Sequence, residues 1–316
     1  MIRQLKKYLI SLRENASNYK KIDLMLSSTV DDTKNSKINI SQLQGYFNSQ
    51  KQFISSLSEV EFQVFSQGGE DGILQYLISK INVPYKTFVE FGVENYRESN
   101  TRYLFLNNHW SGYVIDGSSD NVRFLEHDIG SFGELHTACA FITKENINEL
   151  LIKPEFNNEF GVLSIDIDGN DYWVWQEIKD VNPIIVIAEY NSVFGVNTFW
   201  SIPYKANFVR KYNHAHQLYY GASLQALNFL AQQKGYIFIG CNSKGNNAFF
   251  LRKDKIGDFI KPPTVEQGYV ESKFREARDE KGWITGRNRI KAIEGLAVVD
   301  VRTDSIQAID PDVVQY

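Results

Sequence analysis

Acidic side chains end two apolar segments of this 316-residue chain. The first segment, FGVLSIDIDGND, runs into Asp166 and Asp168. The second, PIIVIAEYN, ends in Glu189 and Asn191. Short apolar runs that are rich in β-branched residues predict buried strands. Open α/β sheets bind ligands beyond the carboxyl ends of their strands, so we expect both groups of side chains at one sheet edge. The two segments therefore predict a site for a metal ion, a polar substrate or both.

Oxygen-bearing side chains at neighbouring strand ends have two uses that the sequence leaves open. Carboxylate and amide oxygens are the ligands that a hard cation such as Mg²⁺ prefers. The candidate metal ligands are Asp166, Asp168, Glu189 and Asn191. Without a metal, the same oxygens would accept hydrogen bonds from a substrate. A calcium-binding loop that begins at Asp166 is excluded, because its sixth position is Asp171 rather than the glycine that this loop requires.

Composition limits the class of protein. Of the 316 residues, 43% are hydrophobic and 23% are charged, which suits one large domain with extensions or two domains. The formal net charge of −4 argues against a nucleic-acid-binding protein with a broad basic face. Cys139 and Cys241 lie in apolar, strand-like runs, so we expect buried free thiols and a reducing, cytoplasmic location. No apolar run approaches the roughly 20 residues that a membrane-spanning helix needs.

The polar N-terminal part of the chain, residues 1–60, predicts a helical extension with a loop over 27–37. Near its start, Leu5, Leu9 and Leu12 would share one side of an amphipathic helix. That side either packs against the rest of the protein or docks on a membrane surface or a partner protein.

Five apolar runs recur at even spacing in the middle of the chain. TFVEFG, GYVIDG, HTACAFI, FGVLSIDI and PIIVIAEY start at residues 87, 112, 136, 160 and 183. This spacing fits strands joined by crossover helices, which we expect at SNTRYLFLNN, KENINELLI and YWVWQEIKD. A further helix, GASLQALNFLAQQKG, precedes YIFIGC and NAFFLR, two strand-like runs that a short turn joins into an antiparallel hairpin.

These elements predict an α/β fold within residues 61–260: a doubly wound, mostly parallel, Rossmann-like sheet of seven strands that ends in an antiparallel hairpin. Five parallel units followed by a helix and a hairpin are the layout of class I methyltransferases. Residues 261–316 would form a C-terminal extension, helical as far as GRNRIKAI and followed by a short strand, GLAVVDV.

The turn after the first strand, in VEFGVENYRESNT, is the first candidate cofactor site. Glu90 and Gly92 end the strand, and Asn95 and Asn100 lie in the polar turn. Asp116 ends the next strand, where an acid can accept hydrogen bonds from ribose hydroxyls. The glycine pattern of dinucleotide-binding proteins is absent, which disfavours NAD. A single glycine suits a nucleoside ligand without a pyrophosphate, such as S-adenosylmethionine.

Two further loops carry candidate residues. In AFITKENIN, Thr143, Glu145 and Asn146 either line an adenine pocket or cap the helix that follows. In YNHAHQLYYG, His214 and His216 lie in a tyrosine-rich loop. Either histidine is a candidate general base, and the alternative is that both are solvent-exposed loop residues.

Taken together, these motifs resemble a bacterial family, the FkbM-like methyltransferases, which use S-adenosylmethionine. The resemblance rests on FSQGGEDGIL, FVEFGVENYRESNTRYLF, WSGYVIDGS, LSIDIDGNDYWVW, IAEYN and GCNSKGNNAFFLR, and it runs from about residue 61 to 300. It implies a class I methyltransferase that acts on a hydroxyl, or an amine, of a small molecule or glycan. Carried over by motif, Glu90, Gly92, Asp116 and Asp166 would face the cofactor. Gln67 and Glu70 would lie near it.

Three functional hypotheses follow. The first is an O-methyltransferase that acts on a sugar of a surface polysaccharide or related glycoconjugate. In it, Asp166 or a loop histidine would accept the hydroxyl proton, or a metal ion held by the acids would lower the pKa of the hydroxyl. The second is a non-catalytic module in a glycan-assembly complex, which would contact a glycosyltransferase through residues 1–60. The third, a nucleotide-sugar enzyme that uses NAD, is disfavoured by the missing glycine pattern.

Overall fold

A seven-stranded sheet forms the centre of the computed structural model, which describes residues 33, 35–129, 132–152, 160–273, 277–280 and 282–316. Its strands are β1 (Thr87–Phe91), β2 (Ser111–Asp116), β3 (Leu135–Cys139), β4 (Val162–Ile165), β5 (Ile185–Glu189), β7 (Tyr236–Cys241) and β8 (Asn247–Arg252), with β6 (Trp200–Ser201) lying outside this sheet. The predicted strands are all present, although β4 is shorter than its apolar run.

The strand order is β3-β2-β1-β4-β5-β8-β7. Strands β1 to β5 are parallel to one another, and β8 runs antiparallel to both β5 and β7. This is the order of the class I methyltransferase fold, and it confirms the predicted fold class. The carboxyl ends of β1, β2, β4 and β5 meet at one edge of the sheet.

Helices cover both faces of the sheet. They are 35–50 (α1), α2 (Glu70–Lys80), α3 (Arg102–Asn108), α4 (Ser119–Ile129), α5 (Ile147–Leu151), α6 (Asp171–Glu177), α7 (Arg210–Asn213), α8 (Leu224–Gln233), α9 (Val265–Gly268) and α10 (Asn288–Lys291). Short 3-10 turns occur at Leu57–Val60, Ser192–Phe194, Lys253–Lys255 and Pro311–Val313. Within the described parts of the chain, none of the helices is long and apolar enough to cross a bilayer.

Alternate side chains along each strand pack into different layers of the core. Val89 and Phe91 of β1 lie in one cluster with apolar residues of α5, α6 and α8. Phe88, the residue before Val89, lies in a second cluster with residues of α2, α3 and α4. Because both faces of the sheet are covered, its strands are apolar at nearly every position rather than at alternate ones.

Three sequence predictions are wrong. The described part of the segment 27–37 is helical from residue 35 and belongs to α1. Cys139 is exposed, because β3 is the edge strand of the sheet, whereas Cys241 is buried as expected. The predicted N-terminal amphipathic helix with Leu5, Leu9 and Leu12 stays a prediction, because these residues lie outside the described ones.

The third error concerns the segment after Pro263, which is not largely helical. Among its described residues the α-helices are α9 and α10 alone, with short strands β9 (Arg278–Asp279) and β10 (Gly282–Trp283) between them. The predicted strand GLAVVDV is present as β11 (Ala297–Asp300), and it pairs with β12 (Ser305–Ala308) on one side and β6 on the other. Pairing with β6, almost 100 residues earlier in the sequence, is a tertiary interaction that local periodicity does not reveal.

Candidate active site

Two adjoining cavities lie at the sheet edge where the parallel strands end. The larger cavity, of about 540 Å³, lies among Asp116, Phe141 and Asp166. The smaller cavity, of about 220 Å³, lies among Glu90, Glu189 and Asn247. Five residues line both cavities, and we call them the shared wall: Gly92, Glu94, Asp166, Asp168 and Arg210. The motifs at the ends of β1 and β4 therefore serve two compartments at once.

Asp116, at the end of β2, is held in the larger cavity by three donors. Its Oδ2 accepts from the Glu94 backbone N–H at 2.8 Å. Its Oδ1 accepts from the Ser118 backbone N–H at 2.8 Å and from Asn121 Nδ2 at 3.1 Å. A carboxylate offers about four acceptor positions, so Asp116 can accept one more hydrogen bond in this fixed orientation.

Apolar side chains also line the larger cavity. Those that follow β3, Phe141 and Ile142, line it together with Ile115, Ile167 and Phe208. Neither Glu145 nor Asn146 lines either cavity, although the sequence suggested both for an adenine pocket. Sequence reasoning missed Phe141, whose aromatic character directly after a strand is the signal that could have found it.

Asn146 instead shapes the loop that carries Phe141. Its Oδ1 accepts from the Thr143 backbone N–H at 2.8 Å, and its Nδ2 donates to the Phe141 carbonyl at 2.9 Å. Glu145 accepts a hydrogen bond from the Tyr204 hydroxyl at 2.5 Å. Asn146 immediately precedes α5, but its side chain makes no capping hydrogen bond to that helix, so the structure does not bear out the capping interpretation.

Gly92 is required by the packing of two backbones. Its φ of 68° lies in the left-handed region. A Cβ at this position would lie 1.7 Å from the Asp166 carbonyl oxygen. The turn after β1 therefore crosses the end of β4 with no space for a side chain. The structure thus gives the glycine a packing role, and Gly92 also lines both cavities, so the close approach to a ligand that the sequence suggested stays a prediction.

Glu90 organises the turn between β1 and α3. It is buried, and it accepts hydrogen bonds from the hydroxyls of Ser99 and Thr101 and from the backbone N–H groups of Asn100 and Thr101. Ser164 of β4 donates to it at 3.3 Å. Burial raises the pKa of the Glu90 carboxyl, and the hydrogen bonds oppose that rise. Glu90 lines the smaller cavity but uses its oxygens mainly to hold this turn.

Four other candidate residues from the cofactor set take different positions. Asn100 and Gln67 line the smaller cavity. Asn95 lines neither cavity, and its Oδ1 accepts from the Arg97 backbone N–H at 3.1 Å. Glu70 also lines neither: it is buried beneath the β7–β8 hairpin, where it accepts from the side chains of Asn242 and Asn247.

The acids at the ends of β4 and β5 converge as the sequence predicted. Carboxylate oxygens of Asp166, Asp168 and Glu189 lie within 4.8 Å of one another. Burial raises the pKa of Asp166 and of Glu189 well above the usual range, and the neighbouring carboxylates raise both further. Such a cluster binds protons or cations strongly, because each like charge opposes the ionisation of the next.

Asn191 does not join these acids. Its Nδ2 donates to the carbonyls of Leu218 and Tyr220, at 2.9 and 3.0 Å. Its Oδ1 accepts from the Val193 backbone N–H at 3.0 Å. The side chain is fully buried and lines neither cavity, so its amide oxygen serves the 3-10 turn that follows β5.

Arg210, which the sequence did not single out, supplies the positive charge of the shared wall. Its guanidinium donates to Asp168 Oδ1 at 2.7 Å and to the Gln217 carbonyl at 2.8 Å. It also lies over the ring of Tyr220, 3.7 Å from the centroid. Arg210 is the first residue of the short helix α7, 42 residues after Asp168, where no motif marks it.

The two loop histidines lie outside both cavities. His216 Nδ1 is 3.0 Å from the Arg278 carbonyl oxygen, and the two imidazole rings are 5.4 Å apart. Burial and the nearby His216 lower the pKa of His214. The structure brings neither ring to the acids, whereas Gln217, next to His216, lines the larger cavity.

Comparisons with known proteins return structures of methyltransferases. No family model and no curated protein matches the chain. The methyltransferase domain of a citrinin polyketide synthase has 8% identity and a TM-score of 0.40 over 59% of this chain and 52% of that one. An S-adenosylmethionine-dependent methyltransferase from Clostridium acetobutylicum has 12% identity and a TM-score of 0.36 over 58% of this chain and 90% of that one.

A third similar structure is PKMT2 from Rickettsia typhi in complex with AdoHcy, with 10% identity and a TM-score of 0.39 over 56% of this chain and 51% of that one. The chain thus spans about half the length of the polyketide synthase and Rickettsia chains that it matches. The strand order described above, rather than these low scores, is the basis for assigning the class I methyltransferase fold.

Proposed function

We propose that the protein is an S-adenosylmethionine-dependent methyltransferase. The observation that carries this proposal is the larger cavity, which combines an oriented acid at the end of β2 with an apolar wall after β3. A nucleoside needs both: acceptors for its ribose hydroxyls and an apolar surface for its base. The donor set also fits the charged part of this cofactor, because the shared wall contains three acids, Glu94, Asp166 and Asp168, for a sulfonium and an amine.

Each group has a distinct task in this proposal. The free acceptor position of Asp116 would bind a ribose hydroxyl. Phe141 and Ile142 would lie against the adenine and exclude water from it. The cofactor supplies an activated methyl group when it is bound. The protein supplies alignment, since methyl transfer is an in-line displacement and gains most from correct positioning of donor and acceptor.

The smaller cavity would hold the acceptor. Its lining is polar, with six acids, two arginines and several amides and hydroxyls. This supports a hydroxyl-rich acceptor, such as a sugar of a surface polysaccharide or related glycoconjugate. Asp166 lines both cavities and is the group best placed to accept the hydroxyl proton, and its raised pKa makes it a stronger base than an ordinary aspartate. A divalent cation such as Mg²⁺ on the same acids is the other way to promote that proton loss.

A second candidate function is supported by a separate surface. The helix α1 exposes four large apolar side chains, each more than half accessible to solvent: Ile40, Leu43, Tyr46 and Phe47. Their spacing places them on one side of the helix. This surface favours a module that docks on a partner such as a glycosyltransferase, with or without catalysis.

Calorimetric titration with S-adenosylmethionine and its demethylated product tests the first proposal. We expect saturable binding that Asp116→Ala weakens by roughly 10-fold or more, because a hydrogen bond to a charged acceptor contributes about 1.5–3 kcal/mol. Asp120→Ala is the matched control, since it removes an exposed carboxylate only four residues away. Absence of binding at millimolar cofactor would refute the proposal. Binding without methyl transfer to any sugar acceptor would favour the docking module.

A further inference from the structure

Two buried oxygen atoms of the smaller cavity accept no hydrogen bond within the described part of the chain. They are Glu189 Oε2 and Asn247 Oδ1, on side chains that are only 7% and 3% exposed. Glu189 of β5 and Asn247 of β8 are direct neighbours in the sheet, and both line the cavity. A buried acceptor without a donor costs about 1–3 kcal/mol, and more if it is charged. Two such atoms on paired residues of one cavity are therefore available to bind a group placed there.

The charge of the surrounding groups indicates what this group is. Asp166, Asp168 and Glu189 bring three carboxylates together, and Arg210 brings one guanidinium. Three negative charges and one positive charge leave a net charge of −2 when all are ionised. The other arginine that lines the cavity, Arg289, is paired with Glu271 at 3.9 Å. One divalent cation would balance this excess.

The donor atoms narrow the chemical class further. The cluster offers carboxylate and amide oxygens, with no sulfur and no imidazole, and such sets favour Mg²⁺, Mn²⁺ or Ca²⁺ over zinc or copper. Oxygens on opposite sides of Ca²⁺ lie roughly 4.6–5.2 Å apart, and those around Mg²⁺ roughly 4.0–4.2 Å apart. The carboxylate oxygens here lie within 4.8 Å of one another, close enough for one cation to contact all three after modest movement of the side chains, and the wider coordination shell of Ca²⁺ needs less movement than that of Mg²⁺.

We propose that Asp166, Asp168, Glu189 and the amide oxygen of Asn247 form a binding site for a hard divalent cation. Asn247 takes the place that the sequence suggested for Asn191, whose oxygen is already occupied. The nitrogen of Asn247 donates to Glu70 at 2.8 Å, which leaves its oxygen for the cavity. The use of the ion in catalysis rests on the function proposed above. There, the cation would bind the acceptor oxygen and favour loss of its proton.

Cation binding is measured without cofactor or acceptor, so its failure is separate from a failure of the methyltransferase proposal. The full-length protein is freed of metal with a chelator and titrated with Mn²⁺, and free Mn²⁺ is followed by electron paramagnetic resonance. Competition with Mg²⁺ and Ca²⁺ identifies the preferred ion. We expect saturable binding of one ion per chain, with Glu189→Gln and Asn247→Ala each weakening it by about 10-fold or more.

Glu98→Gln is the matched control, because Glu98 lines the same cavity but is exposed and lies outside the acid cluster. We expect it to change Mn²⁺ affinity by less than about threefold. Circular dichroism checks the fold of each variant. If Glu189→Gln does not fold, Asp168→Asn replaces it, since that side chain is 59% exposed.

Two results of the Mn²⁺ titrations would overturn the site. One is no saturable binding at roughly 10 mM Mn²⁺, well above the weakest protein calcium sites. The other is equal affinity in the Glu189→Gln and Glu98→Gln variants. Saturable binding of putrescine in place of Mn²⁺, lost in Glu189→Gln, would assign the cavity to an ammonium group instead.

Discussion

Replacing Gly92 by alanine tests the packing on which both cavities depend. An L-residue in the left-handed region costs about 1–2 kcal/mol. The new Cβ would lie 1.7 Å from the Asp166 carbonyl oxygen, whereas real Cβ contacts are essentially never under 3.0 Å. The turn must therefore move by more than about 1 Å, and the hydrogen bond from Gly92 N–H to the Ile115 carbonyl, 2.9 Å long, is lost or weakened. The loss of that bond adds about 0.5–1.5 kcal/mol.

The expected total is a loss of roughly 1.5–3.5 kcal/mol in the free energy of unfolding, measured by urea denaturation. A displacement of about 1 Å at the shared wall should also lower the methyl-transfer rate by roughly 100-fold. Gly235→Ala is the matched control. Gly235 has a φ of 83°, but a Cβ there meets nothing within 4 Å, so that variant reports backbone strain alone. The reasoning is refuted if the two variants lose the same stability to within about 0.5 kcal/mol and bind the cofactor equally well.

Three other predictions follow from the site and its surroundings. Burial raises the pKa of Asp71 and of Asp171 to about 6. The contribution of these two carboxyl groups to folding stability is therefore complete below their pKa in the unfolded chain, near 3.8, and is lost as the pH rises through about 6. Urea denaturation should show the free energy of unfolding falling by about 1 kcal/mol per group between pH 5 and 7, and a flat or rising profile would contradict this. Arg210→Met should lower the free energy of unfolding at pH 7 by about 1–2 kcal/mol, a value kept small because the Asp168 side chain is exposed. The same change should tighten Mn²⁺ binding, and weaker Mn²⁺ binding would show that the arginine does not oppose the cation. His214→Ala and His216→Ala should each keep the methyl-transfer rate within about threefold, and a larger loss in either would restore that histidine as a base.

Periodicity was sufficient to predict the strands of the sheet and the antiparallel hairpin that ends it. Buried parallel strands are apolar along their whole length, and the even spacing of five such runs leaves few arrangements for the connections. The helix α4 is not among the predicted segments, although Val122, Leu125 and Ile129 recur at helical spacing in it. That signal was present, but the polar residues between them obscured it.

The site was only partly predictable, because strand ends are marked in sequence and loop contacts are not. Asp166 and Glu189 end apolar runs, so their meeting at the sheet edge follows from the fold. Arg210 begins the short helix α7, and Phe141 lies in a loop. The paths of both segments depend on tertiary contacts, and Asn247 gains its place only through the antiparallel pairing of β8 with β5. Asn191 was predicted as a metal ligand from its position after β5. In the structure, both its amide nitrogen and its amide oxygen form hydrogen bonds with neighbouring backbone groups instead.

The wall shared by the two cavities makes their binding equilibria a linked pair. An occupant that moves or neutralises Asp166 or Arg210 on one side changes the free energy of binding on the other, because the same atoms serve both. Thermodynamic linkage then fixes a reciprocity: the factor by which cofactor changes the affinity for Mn²⁺ equals the factor by which Mn²⁺ changes the affinity for cofactor. Order of addition cannot alter this ratio. The two titrations, each with the other ligand absent and then saturating, close a cycle that measures how strongly the two compartments are coupled.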